Sequence, residues 1–106
     1  MDYTQVPRSI LTTELFDHWF EALRDRQAKA RIEARLRRVE LGNFGDIQPV
    51  GKGVSELRID FGPGYRIYMA QRGLELVILL AGGDKATQAR DIAAAIKLAR
   101  QIEEVR

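Results

Sequence analysis

Between Ser55 and Ala70 the chain reads S-E-L-R-I-D-F-G-P-G-Y-R-I-Y-M-A, two alternating runs around a Gly-Pro-Gly turn. Side chains alternate faces along a strand, so apolar residues at every second position mark a half-buried β-hairpin. A three-residue Gly62-Pro63-Gly64 loop pairs odd positions with odd ones, and Leu57, Ile59 and Phe61 then share a face with Tyr65, Ile67 and Met69. A shorter loop would set apolar side chains against charged ones, so the pattern selects the longer one. The remaining face carries Glu56, Arg58 and Asp60 beside Arg66, Tyr68 and Ala70.

Downstream, Arg72-Gly73 predicts a tight turn into a strand over Leu74 to Ala81. That register aligns Ile67 with Ile78 and Met69 with Leu76, and leaves Val77, Leu79 and Ala81 beside the arginines. Gly82-Gly83 breaks the strand, and Asp84 caps a final helix from Lys85 to the end with Ile92, Ile96, Ala99 and Ile102 as its inner stripe. Upstream, Tyr3 to Val6 reads as a short first strand that Pro7 ends or confines to an edge. Thr12 and Thr13 offer an N-cap, and Leu15, Phe16, Trp19, Phe20 and Leu23 recur at the spacing of one helical face. A second helix over Arg26 to Leu41 carries Ala28, Ile32, Leu36 and Val39 and stops at Gly42-Asn43. The short separation predicts an antiparallel helical hairpin. Gly42 to Gly53 reads as an irregular loop.

The 106 residues suit one domain with one modest core. With no cysteine there is neither a disulfide nor a thiolate metal site, and a reducing cytoplasm is the natural setting. No apolar run reaches bilayer length, and the N-terminus lacks a basic-then-apolar secretion pattern. A net charge of only +2 means that attraction to phosphate must come from local clustering. Two clusters qualify. On the polar sheet face, Arg58, Arg66 and Tyr68 read either as a solvated surface neutralised by Glu56 and Asp60 or as a shallow site for an anionic partner. On the helical hairpin, Arg24, Arg26, Lys29, Arg31, Arg35, Arg37 and Arg38 outnumber Asp25 and Glu33. They form either a solvated face or a grip on ribosomal RNA phosphates.

The segments G-N-F-G-D-I-Q-P-V-G-K-G-V-S-E-L-R-I-D-F-G-P-G-Y-R-I-Y and L-L-A-G-G-D-K-A-T-Q-A-R-D-I-A-A-A together resemble the RelE/ParE toxin superfamily. The likeness is to its HigB-like, phage-related branch, often called addiction-module killer proteins, and runs from about Phe16 to Ala95. It implies an α+β fold over residues 1–106, with an N-terminal helical hairpin and a C-terminal helix packed on a small antiparallel sheet. It also implies a cytoplasmic toxin of a type II toxin–antitoxin pair, with no cofactor or metal. The expected partners are the ribosome, mRNA and a cognate antitoxin of helix-turn-helix type, and no membrane.

RelE-like and HigB-like members cut mRNA in the ribosomal A site; ParE-like members inhibit DNA gyrase without catalysis. A decayed toxin that only binds its antitoxin is a third possibility. In the nuclease, the RNA 2′-hydroxyl attacks the adjacent phosphate, and the protein orients the strand, moves protons and stabilises the added negative charge. Arg58 and Arg66 match the family's strand arginines and take phosphate binding and transition-state stabilisation. Lys85, in G-G-D-K at a helix start, binds phosphate or assists proton transfer. Lys52, Tyr68 as a stacking platform, Gln88, Arg31, Arg35 and Arg38 complete the expected RNA contacts. Gln88 and Asp91 have ordinary helix-surface roles as the alternative. Relatives place a histidine or tyrosine proton carrier near the C-terminus, and this chain has neither after Tyr68. The general base therefore lies open between Lys85 and Asp84, the latter also reading as a helix cap. His18 reads as structural or surface.

Overall fold

Three strands rich in aliphatic residues, β3 (Val54–Ile59), β4 (Tyr65–Arg72) and β5 (Leu76–Gly83), pair antiparallel in succession. The computed structural model, which describes residues 7–105, adds one strand to each side of them. β1 (Ser9–Thr12) runs parallel to β5, and β2 (Ile47–Gly51) runs antiparallel to β3, giving the order β1-β5-β4-β3-β2. Helices α1 (Glu14–Ala22) and α2 (Arg26–Glu40) follow β1, and α3 (Gln88–Val105) follows β5 through a single 3₁₀ turn at Lys85–Thr87. The protein is α+β, and its sheet is mixed rather than purely antiparallel. Among the described residues no helix is long and apolar enough to cross a membrane.

Local chemistry explains the helix starts. The Thr13 hydroxyl accepts from Phe16 N at 3.1 Å and donates to Leu80 O at 2.7 Å, capping α1 and fastening it to β5. Asp25 caps α2 by accepting from Gln27 N and Ala28 N, and Gly42, at φ 91°, follows its end. Asp84 and Thr87 form a reciprocal capping box before α3, so the cap reading of Asp84 holds.

Both faces of the sheet are covered. Phe16, Ala28, Ile32 and Val39 from α1 and α2 pack on Leu57, Ile59, Tyr65, Ile67, Met69, Val77 and Leu79. Ala95 and Ala99 of α3, flanked by Ile92, Ile96 and Ile102, pack on Val54, Tyr68, Ala70, Ile78, Leu80 and Ala81. Burying each large aliphatic side chain contributes about 1.5–3 kcal/mol, so two such layers make the sheet the spine of the molecule.

Several sequence expectations change here. The expected strand over Tyr3 to Val6 lies outside the described residues. β1 occupies Ser9–Thr12, where only a helix cap was read. β2 falls inside the expected loop; its Pro49 is tolerated because β2 is an edge strand, and a bulge separates Pro49 from Gly51.

In the β3–β4 hairpin the expected parity holds, but Ile59 pairs Tyr65 and Leu57 pairs Ile67, two residues away from the expected register. In the β4–β5 hairpin Arg72 pairs Leu76 across residues 73–75, and a register shift between Tyr68 and Met69 leaves Leu80 unpaired opposite them. With three residues in the turn instead of two, Val77 and Leu79 face α1 and α2 and Ile78 faces α3, the reverse of the expected arrangement, whereas Ala81, beyond Leu80, shares the Tyr68 face as expected. Gly82 and Gly83 lie within β5 rather than breaking it. A Cβ at Gly82 would collide with the Trp19 ring, and one at Gly83 with the Asp91 carboxylate. These glycines let α1 and α3 close on the strand end.

Candidate anion-binding cleft

Arg58 and Arg66 stand directly opposite each other on β3 and β4. Like charges in that relation repel, so the pair needs a counter-charge. Asp46 supplies part of it, accepting from Arg58 Nη2 at 3.2 Å. Arg66 forms no salt bridge among the described residues. The Nε atoms of both arginines are buried and lack an acceptor among the described residues.

Lys85 reaches the same place because its backbone N donates to Pro63 O at 3.4 Å, tying the start of the 3₁₀ turn to the β3–β4 loop. Gly64 allows the approach: its φ is +80°, and a Cβ there would lie 3.4 Å from Lys85 Cβ. The result is an open cleft of about 440 Å³ lined by Arg58, Arg66 and Lys85 together with Asp46, Asp60, Ile59 and Gly64. Three cations face two carboxylates, one already bonded to Arg58. Such a cleft can take an oxyanion through charge-assisted hydrogen bonds from two planar guanidinium groups. A larger concavity of about 540 Å³, at the far end of β4 and β5, is lined by Gly73, Leu76, Ile78 and Ile102, with Arg72 as its one charged residue. It offers no comparable chemistry.

A second cleft of about 320 Å³ adjoins the first, sharing Ile59 and Asp60 and adding Arg31, Ala34, Arg35 and Arg38 from α2. The Arg31 guanidinium lies over the Phe61 ring, 4.4 Å from its centroid. Arg31 and Arg38 are exposed, as expected of nucleic-acid contacts.

Four other expected RNA contacts are spent within the fold or lie distant. Arg35 is buried and spends its guanidinium on the backbone: Nε and Nη2 donate to Phe44 O, Nη2 to Asp46 O at 2.8 Å, and Nη1 to Arg58 O at 2.7 Å. Burial, and then the charge of Arg38, holds its pKa below the usual arginine value, with Asp46 opposing. Arg35 thus builds the wall that carries Asp46 and Arg58. Its place in the buried stripe Ala28, Ile32, Arg35, Val39 was the available signal.

Tyr68 is wholly buried beneath α3 and cannot stack on a base. No partner meets hydrogen-bond geometry at its hydroxyl, whose ionisation is pushed upward first by burial and then by the charge of Glu56. Gln88 donates to the buried Glu56 carboxylate at 2.8 Å. Lys52, at φ 54°, occupies the turn before β3, about 20 Å along that strand from Arg58 at ~3.3 Å per residue.

Asp91, for which a helix-surface role was one of two readings, is buried; it accepts from Thr87 Oγ1, and Arg90 Nε lies 3.5 Å away. His18 is exposed and lines a separate concavity beside Trp19. Sequence reasoning missed Asp46, which it placed in a featureless loop, and Asp60, which it counted only as a neutralising charge.

The fold and site define a small α+β protein with a cationic cleft at one end of its sheet. No family model matches the chain. Its sequence is 52% identical over 93 residues to an uncharacterized protein of Haemophilus influenzae, covering 88% of this chain and 94% of that one. The chain belongs to the family of that protein.

Proposed function

We propose that this protein is the toxin of a type II toxin–antitoxin pair, with a RelE-like fold of the HigB-like kind, and that it cuts messenger RNA on the ribosome. The observation that carries the reading is the convergence of Arg58, Arg66 and Lys85, from three separate stretches of chain, on one cleft. The sequence resemblance supplies the reaction. The 2′-hydroxyl of the message attacks the adjacent phosphorus and gives its proton to water, and the bond from phosphorus to the 5′-oxygen of the next nucleotide breaks, leaving a 2′,3′-cyclic phosphate. Arg58 and Arg66 hold the phosphate and stabilise the charge that builds on its non-bridging oxygens. Lys85, exposed at the rim, is placed to hand a proton to the leaving 5′-oxygen. Asp46 keeps the Arg58 guanidinium in place.

The ribosome orients the message, and a helix-turn-helix antitoxin in the same cytoplasm holds the toxin in check. Inducing the protein in growing cells and mapping transcript ends tests this. New ends within translated messages are expected. Intact messages with arrested DNA supercoiling would assign the protein to gyrase inhibition, and unimpeded growth would leave it only an antitoxin-binding role.

A further inference from the structure

We propose that the second cleft, between α2 and the β3–β4 loop, is a nucleobase subsite that selects guanine in the strand whose phosphate lies against Arg58 and Arg66. This rests on the reading that the first cleft binds an RNA phosphate. The two clefts meet at Ile59 and Asp60, so a strand anchored in one passes directly into the other. Arg31, stacked on Phe61 on one side and exposed on the other, presents a flat guanidinium plane on which a base can stack. The space, about 320 Å³, admits a purine.

Asp60 gives the choice of base. It is exposed, lines both clefts among five arginines and one lysine, and forms no ion pair with any of them among the described residues. A carboxylate accepts hydrogen bonds and donates none, so it matches the adjacent N1–H and N2–H groups on the Watson–Crick edge of guanine. Adenine and uracil offer no such pair of neighbouring donors there, and each would set a lone-pair acceptor against the carboxylate. Arg38 at the rim is free to take the next phosphate.

Isotope-labelled protein titrated with the ribodinucleotides ApA, UpA, GpA and ApG tests the assignment without requiring cleavage. At least one guanine-containing dinucleotide is expected to bind about tenfold more tightly than ApA, the scale of one paired hydrogen-bond contact. Amide shifts should centre on Ala34, Ile59 and Asp60, and Asp60→Asn should erase the preference while keeping ApA binding. Asp60 is an exposed loop residue, and the spectrum of the variant reports directly that it folds.

Equal affinities, or a preference that survives Asp60→Asn, would overturn the subsite. If neither GpA nor ApG binds more tightly than ApA but the protein still cuts translated message, only the base assignment falls. If guanine is preferred and no message is cut, the nuclease reading falls and the subsite stands.

Discussion

Arg58 and Arg66 hold two positive charges at one rung of the β3–β4 ladder, and neither Nε has an acceptor among the described residues. Replacing either by alanine is expected to lower cutting by about 10²–10³-fold, the scale of losing one preorganised donor at a developing oxyanion. The fold should survive, because both side chains lie at the cleft and not in either apolar layer; circular dichroism and a urea titration check this. Arg35 behaves oppositely. Arg35→Met takes the guanidinium donors from the carbonyls of Phe44 and Arg58 and leaves Asp46 O only the Arg58 N–H, and unfolding in urea should show a loss of about 3 kcal/mol or more.

Tyr68→Phe removes a buried hydroxyl that lies near the Glu56 carboxylate but meets hydrogen-bond geometry with no group among the described residues, so stability should stay level or rise by about 1 kcal/mol. The same group predicts an alkaline limb. Folding raises the Tyr68 pKa, so its contribution is complete below the free value of about 10 and is lost as pH climbs above it. Urea midpoints measured from pH 8 to pH 11 should fall at the alkaline end, less steeply in Tyr68→Phe.

At the scale of elements, β5 decides how the helices seat. Gly82→Ala drives a methyl into the Trp19 ring and should cost about 1–3 kcal/mol by overpacking, read as a lowered urea midpoint. This strand also marks where the sequence was hard to read. The β3–β4 hairpin was legible, because alternation and a glycine-rich turn agree on its parity. In β5 the run Val77 to Ala81 has no alternation, which is the pattern of a strand covered on both sides.

Treating that run as two-faced left the sheet face that α3 covers, and Tyr68 with it, open to solvent. The turn, three residues long instead of two, reversed Leu76 to Leu79, and the unpaired Leu80 restored the expected parity at Ala81. β2 was hidden for another reason: proline and glycine suppress the strand signal at a sheet edge, where they do little harm. The arginines on α2 looked alike in sequence; only the stripe containing Ala28, Ile32 and Val39 separates buried Arg35 from exposed Arg31 and Arg38.

Across the whole molecule, helices on both faces leave the functional chemistry to one end of the sheet. There the β3–β4 loop, the segment before β2 and the start of α3 meet. The site is therefore a cleft at the sheet's end and not a surface on its open face, although the residues that fill it, Arg58, Arg66 and Lys85, are those the sequence indicated. Its breadth follows from α2, whose exposed arginines extend the cationic track past Asp60.

The most direct measurement adds purified protein, wild type and Arg58→Ala/Arg66→Ala, to a reconstituted translation system and maps the 5′ ends of the message. The account predicts new ends within the translated region for the wild type, dependent on ribosomes, and none for the double variant. Identical end patterns from the two proteins, or no new ends from either, would contradict it.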